Sequence, residues 1–147
     1  MIVSSDSRYR DLDLWIPETF HTEFVRSDTL VKRGDDPYVA FSRQIDLWWY
    51  AVAIGIQKGK RTPLPDRKNL VRFNEAGVLE SNPWRITHLE LVALAELGGG
   101  VVTEPSRVIL HAHEYAMTGF KILTQELRSV ADLQLHLLTL LSSNNGS

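Results

Sequence analysis

Proline and glycine divide this chain more sharply than any other residues do. Six prolines, at positions 17, 37, 63, 65, 83 and 105, and the triplet Gly98-Gly99-Gly100 leave few stretches free for a helix. A proline inside a helix removes a hydrogen bond and clashes with the turn before it, so each position reads as a start or a stop. Between these marks the apolar residues recur at helical spacing. Tyr38, Phe41, Ile45, Trp49, Val52 and Ile56 follow steps of three and four, and Leu47, Ala51 and Ile54 widen the stripe. Such a helix is largely buried. Asp36 caps it, with Pro37 in its first turn. Gly55 and Gly59 mark its end, and Pro63 and Pro65 forbid continuation.

The same logic predicts three more helices. Asn82 and Pro83 start one whose core face is Ile86, Leu89, Val92 or Ala93, and Leu97, ended by the glycine triplet. Val101 and Val102 then cross over in extended form. Thr103 caps the next helix, with Glu104 and Pro105 in its first turn. Its inner stripe is Val108, Ala112, Tyr115, Ala116, Gly119 or Phe120, Leu123 and Leu127. Ser129 with Asp132 has the form of a capping box that opens a last, leucine-rich helix. Leu70 to Phe73 suits a short extended piece, and Asn74 to Leu79 a helical turn or a loop.

Residues 1–35 carry scattered aspartates around short apolar patches. They read as an irregular N-terminal arm, with room for a short helix, packing Trp15 and Phe20 onto the body. Thr29 to Val31 suits a short strand. The expected organisation is that arm, a helical domain over 36–142 and a frayed tail over 143–147. The fold class is all-α: one compact single-domain bundle of about four main helices.

Composition narrows the function. With 147 residues, 44% apolar and 23% charged, the chain can bury a core without staples. It has no cysteine, which excludes disulfides, thiolate metal sites and a cysteine nucleophile. Met1 to Arg10 lacks the pattern of a secretory signal. Leu47 to Ile56, the most apolar run, is about half a membrane span. No membrane contact and a cytoplasmic location are expected.

Catalytic motifs are weak. Gly55 to Thr62 looks like a phosphate loop, but it spaces its glycines too closely, Arg61 intervenes before Thr62, and it closes a helix instead of opening one. His111 and His113 are two apart, about 200° around a helix, so they cannot share a metal from one face. They read as partly exposed or satisfied boundary histidines. Glu90 and Glu96 fall on opposite sides of their helix. No catalytic residue, metal site or cofactor is expected, and the chain reads as a non-enzyme.

Two features suit contact instead. Lys58, Lys60, Arg61, Arg67, Lys68 and Arg72 face only Asp66. This basic stretch is the candidate site for nucleic acid or an acidic partner. Its alternative is a solvated loop whose first lysines complement the helix dipole. The C-terminal helix carries leucines on several faces, which suits a central core helix or an interface. Core is the expectation for most of it, with Leu135 and Leu138, together with Trp48, as candidate protein-interface residues.

Three segments resemble a known family. Asp46 to Leu64 ends in Gly55-x-x-x-Gly59-Lys60-Arg61-x-Pro63-Leu64. The helix from Ile86 ends in Leu94-Ala95-Glu96-Leu97-Gly98. His113 to Leu123 is close to Glu-Glu-Tyr-Ala-Asn-Gly-Gly-x-x-x-Leu, with Met117-Thr118 in place of the amide and glycine. Over residues 38–128 the chain is similar to the small accessory proteins encoded with DNA phosphorothioation (Dnd) systems, the DNA phosphorothioation-associated protein 4 family. The resemblance implies a non-enzymatic accessory or adaptor protein of a bacterial DNA-modification or anti-phage defence system. Its partner would be a larger protein of that system. The basic stretch adds nucleic acid as a further candidate, and the leucine-rich C-terminal helix adds a homo-oligomer. The alternative is a dimeric DNA-binding transcriptional regulator.

Overall fold

The computed structural model describes residues 8–25, 41 and 43–145. The described chain is mostly helical and compact, with one small two-stranded sheet. In order, it runs through strand β1 (Asp13–Pro17), the helical turn α1 (Glu18–Phe20) continuing as a π-turn over His21–Val25, helix α2 (Gln44–Lys58), strand β2 (Leu70–Glu75), helix α3 (Pro83–Leu97) and helix α4 (Pro105–Asn145).

Helix α4 is the centre of the molecule. From Val108 to Phe120 it is buried on nearly every side, including His111, His113 and Thr118. Helix α2 packs closest to it, because glycines remove the side chains at the crossing. A Cβ at Gly55 would overlap the carbonyl of Tyr115, and a Cβ at Gly119 would overlap the carbonyl of Ala51. Ala51, Ala112 and Ala116 fill the rest of the contact with small, wholly buried side chains. Trp48 sits beside it, fully buried, its ring 5.4 Å from that of His113.

The ends of α2 and α3 follow the punctuation. Gly59 takes a left-handed conformation (φ 67°), and the Lys60 amide donates to the Gly55 carbonyl, closing the last turn. Pro83 opens α3, and Gly98 (φ 96°) ends it. At its other end α2 begins at Gln44, because Arg43 is extended. The expected helix from Tyr38 is thus corrected: Phe41 and Arg43 are described and lie outside it, and α2 starts at Gln44. The expected cap at Asp36-Pro37 and the strand at Thr29 to Val31 lie outside the described residues.

Three further expectations are corrected. The N-terminal arm contains a strand: β1 pairs antiparallel with β2, Trp15 opposite Arg72, with a bulge at Leu14/Trp15. Leu14 and Ile16 enter the core, and the Phe20 ring meets that of Phe120 at a tilt, 4.7 Å between centres. Val101 and Val102 lie in a 3-10 turn (Gly99–Thr103), not in extended chain, and the Thr103 hydroxyl donates back to Gly100 instead of capping α4. Finally, α4 runs unbroken through Ser129 and Asp132 to Asn145. No proline or glycine lies between Gly119 and Gly146 to stop it, so the expected fourth helix is the second half of the third. The helical turn after β1 supplies the fourth helical segment instead.

Candidate interaction surfaces

The basic stretch is divided by its own surroundings. Arg61 donates to Glu114 at 3.0 Å and lies 3.9 Å from Glu96. The Thr62 amide donates to the Glu114 carbonyl, and its hydroxyl meets that of Thr118 at 2.8 Å. The Gly59-Lys60-Arg61 segment therefore stops α2 and fastens the following loop onto α4. Arg72 donates to Asp13 across the sheet and to Glu75, and its charged form is favoured by the Asp13 hydrogen bond first. The Arg67 guanidinium lies over the Trp15 ring at 5.1 Å. Lys58, Lys60 and Lys68 are exposed. A shallow groove of about 480 Å³ runs along Gly59, Lys60, Arg61, Pro63 and Glu114, where the carboxylate offsets the cations.

The two buried histidines of α4, His111 and His113, serve the packing. The His113 Nε2 accepts the Trp15 amide at 3.0 Å, which ties β1 to α4. Burial pushes its pKa down to about 4, with a backbone hydrogen bond to Ile109 opposing, so the ring is neutral. His111 places Nε2 2.8 Å from Glu96, which also accepts the Tyr115 hydroxyl. Burial opposes ionisation of Glu96, but these hydrogen bonds and the nearby Arg61 hold its carboxyl below the usual range. Burial and the Glu96 contact push Tyr115 up to about 12. The trio joins α3 to α4. Among the described residues no group of three or more His, Asp or Glu comes together to hold a metal. Among them, too, no helix is long and apolar enough to cross a membrane.

Two apolar surfaces are left open. The first is the outer face of α3. Trp84, Thr87, His88, Leu91, Leu94 and Ala95 are all exposed and fall within about a third of the helix circumference. None carries a formal charge with histidine neutral. A solvent face normally holds charged residues; here Trp84 is 57% and Leu91 58% exposed. Trp49 meets Trp84 edge-on at 5.4 Å, and Arg85 lies over both rings while pairing with Asp46 at 3.0 Å. Beside this face a groove of about 350 Å³ is lined by Arg8, Thr87, Glu90, Leu91, Leu94, Val102 and Thr103.

The second is the end of α4. Beyond Leu123, which is buried, and Leu127, which is half-buried, every residue from Arg128 to Ser143 is exposed. Val130, Leu133, Leu135, Leu137, Leu138, Leu140 and Leu141 stand 47–66% exposed. The expectation that most of this helix is core is thus overturned, while Leu135 and Leu138 do stand on the surface. Trp48 does not: its side chain is wholly covered between α2 and α4, so it cannot meet a partner. The half-buried Trp49 and exposed Trp84 hold that position instead. The core face of α3 read from the sequence, Ile86, Leu89, Val92 or Ala93, and Leu97, is the one that packs inward; the uncharged character of the opposite face lies in the same spacing.

No family model, curated protein or solved structure matches this chain.

Proposed function

We propose that this protein is a non-enzymatic adaptor whose α3 outer face receives a larger partner protein. The observation that carries the reading is the uncharged exposed face made by Trp84, Thr87, His88, Leu91, Leu94 and Ala95. Aromatic residues enriched and charges depleted at the centre are what a protein interface shows. Trp84 is a suitable anchor, since the Arg85–Asp46 pair and the Trp49 ring hold its surroundings rigid. The groove beside Leu91 and Leu94 supplies the concave side that a partner's side chain can enter.

The setting in a bacterial DNA-modification or anti-phage defence system is supported by the resemblance over residues 38–128. A regulator that grips DNA through the basic stretch is less supported, because Arg61 and Arg72 are engaged by carboxylates. Nucleic acid is left with Lys58, Lys60 and Lys68, and with Arg67, which lies over the Trp15 ring and not on a carboxylate.

The test is a pull-down of the proteins encoded beside this one, with wild type and the Trp84→Ala/Leu91→Asp variant. Wild type should retain one of them and the variant should lose it while its unfolding midpoint holds. Retention of none by wild type, or equal retention by both, overturns the reading.

A further inference from the structure

The end of α4 is the other open surface, and its side-chain order is specific. Leu127, Val130, Gln134, Leu137 and Leu141 follow alternating steps of three and four, the seam spacing of paired helices. Leu133 and Leu140 flank that seam on one side, and Leu135 and Leu138 on the other. Ser129, Asp132, His136, Thr139 and Ser143 take the opposite side. The apolar arc therefore covers more than half of the circumference. It begins where the body ends, at the Arg128–Glu23 ion pair of 2.6 Å.

From this arrangement we infer that the arm of α4 pairs with the same arm of a second copy of the chain. Three observations select that occupant. First, the seam and its flanks hold no charged residue, so identical arms meet without repulsion, and each offers the ridges and grooves the other needs. Second, the polar side carries neither Lys nor Arg beyond Arg128; a helix lying on a lipid surface uses those residues on its polar face. Third, the area is sufficient. From Ser129 to Asn145 the arm extends about 26 Å at 1.5 Å per residue. One partner helix covers less than half of the circumference, so each copy buries roughly 400–500 Å² and a pair about 800–1,000 Å², the low end of interfaces where reversible association lies. The dimer is accordingly a reversible one.

This inference does not share a surface with the α3 reading, and its test needs only the purified chain. Sedimentation of the full chain from micromolar to submillimolar concentration should show the mass rising from 16.7 kDa toward twice that value. The Val130→Glu/Leu137→Glu variant should stay at the monomer mass. All four tryptophans precede the arm, so unchanged tryptophan fluorescence shows that the body is folded. The chain has no cysteine, so introduced thiols report the contact face. Gln134→Cys, at mid-seam, should form a disulfide-linked dimer on mild oxidation, and Asp132→Cys, on the polar side, should not. A wild type that stays monomeric throughout, a glutamate variant that associates as well as wild type, or equal cross-linking at both positions overturns the proposal.

Discussion

Gly119 of α4 lies so close to the carbonyl of Ala51 in α2 that no Cβ fits between them, and Gly55 repeats the relationship one turn along, against Tyr115. The obstructing atoms are backbone, which cannot swing aside as a side chain can. Gly119→Ala is therefore expected to separate the two helices that hold Trp48 and His113. Overpacking of a core costs about 1–3 kcal/mol where side chains can adjust. Here the loss should be about 3 kcal/mol or more, read from denaturant unfolding. A variant as stable as wild type would show that the crossing is looser than described.

What was legible in the sequence follows the range of the interactions. The end of α2 and both ends of α3 were readable because Gly59, Pro83 and Gly98 act on their own neighbours. Strand β1 was not. It spans five residues, and its partner β2 lies more than fifty residues away, so no local pattern announces the pairing. Ser129 and Asp132 have capping chemistry, yet a cap only favours a start; without a breaker the preceding helix continues. The basic stretch was visible as charge, but its carboxylates come from β1, α3 and α4. The core face of α3 was legible from its spacing, but exposed apolar residues are common on any surface, so the spacing alone does not mark Trp84 and Leu91 as an open patch.

The buried His113 predicts an acid-sensitive fold. Its folded pKa of about 4 lies below the ordinary 6.5, so the unfolded chain binds the extra proton between those values. Stability from this group is complete above pH 6.5 and declines as pH falls toward 4. The full difference is about 3 kcal/mol. Thermal unfolding across this window should show the decline, and His113→Gln should be less stable at pH 7 but flatter with pH. Glu96, whose carboxyl is held low, contributes stability that is lost only at more acid pH. An equal slope in the variant would remove His113 as the cause.

If nucleic acid is bound, the exposed lysines set the scale. Each phosphate neutralised contributes about −0.9 to the slope of log affinity against log salt on duplex DNA. With Lys58, Lys60, Arg67 and Lys68 as the cations of this stretch not held by a carboxylate, the slope should not exceed about 4 in magnitude. Reversal of the three lysines to glutamate should abolish binding in a low-salt mobility-shift assay. Arg72→Ala should leave the affinity nearly unchanged and loosen the β1–β2 contact instead. A much steeper slope would mean that other basic residues join the surface.

The arm should be separable from the body. Among the described residues, Leu127 is the last of α4 that is even half-covered, and Arg128 makes the last tie to the body through Glu23. A chain ending after Arg128 keeps both, and among the described residues the core side chains all lie before that point. Its unfolding midpoint, followed by tryptophan fluorescence at low micromolar concentration, should match that of the full chain to within about 0.5 kcal/mol, the usual effect of surface changes. The shortened chain should also stay soluble at higher concentration, since it lacks seven exposed apolar side chains. A large drop in the midpoint would show instead that residues beyond Arg128 support the body. In that case the arm is part of the fold and its leucines are not free to meet a second copy.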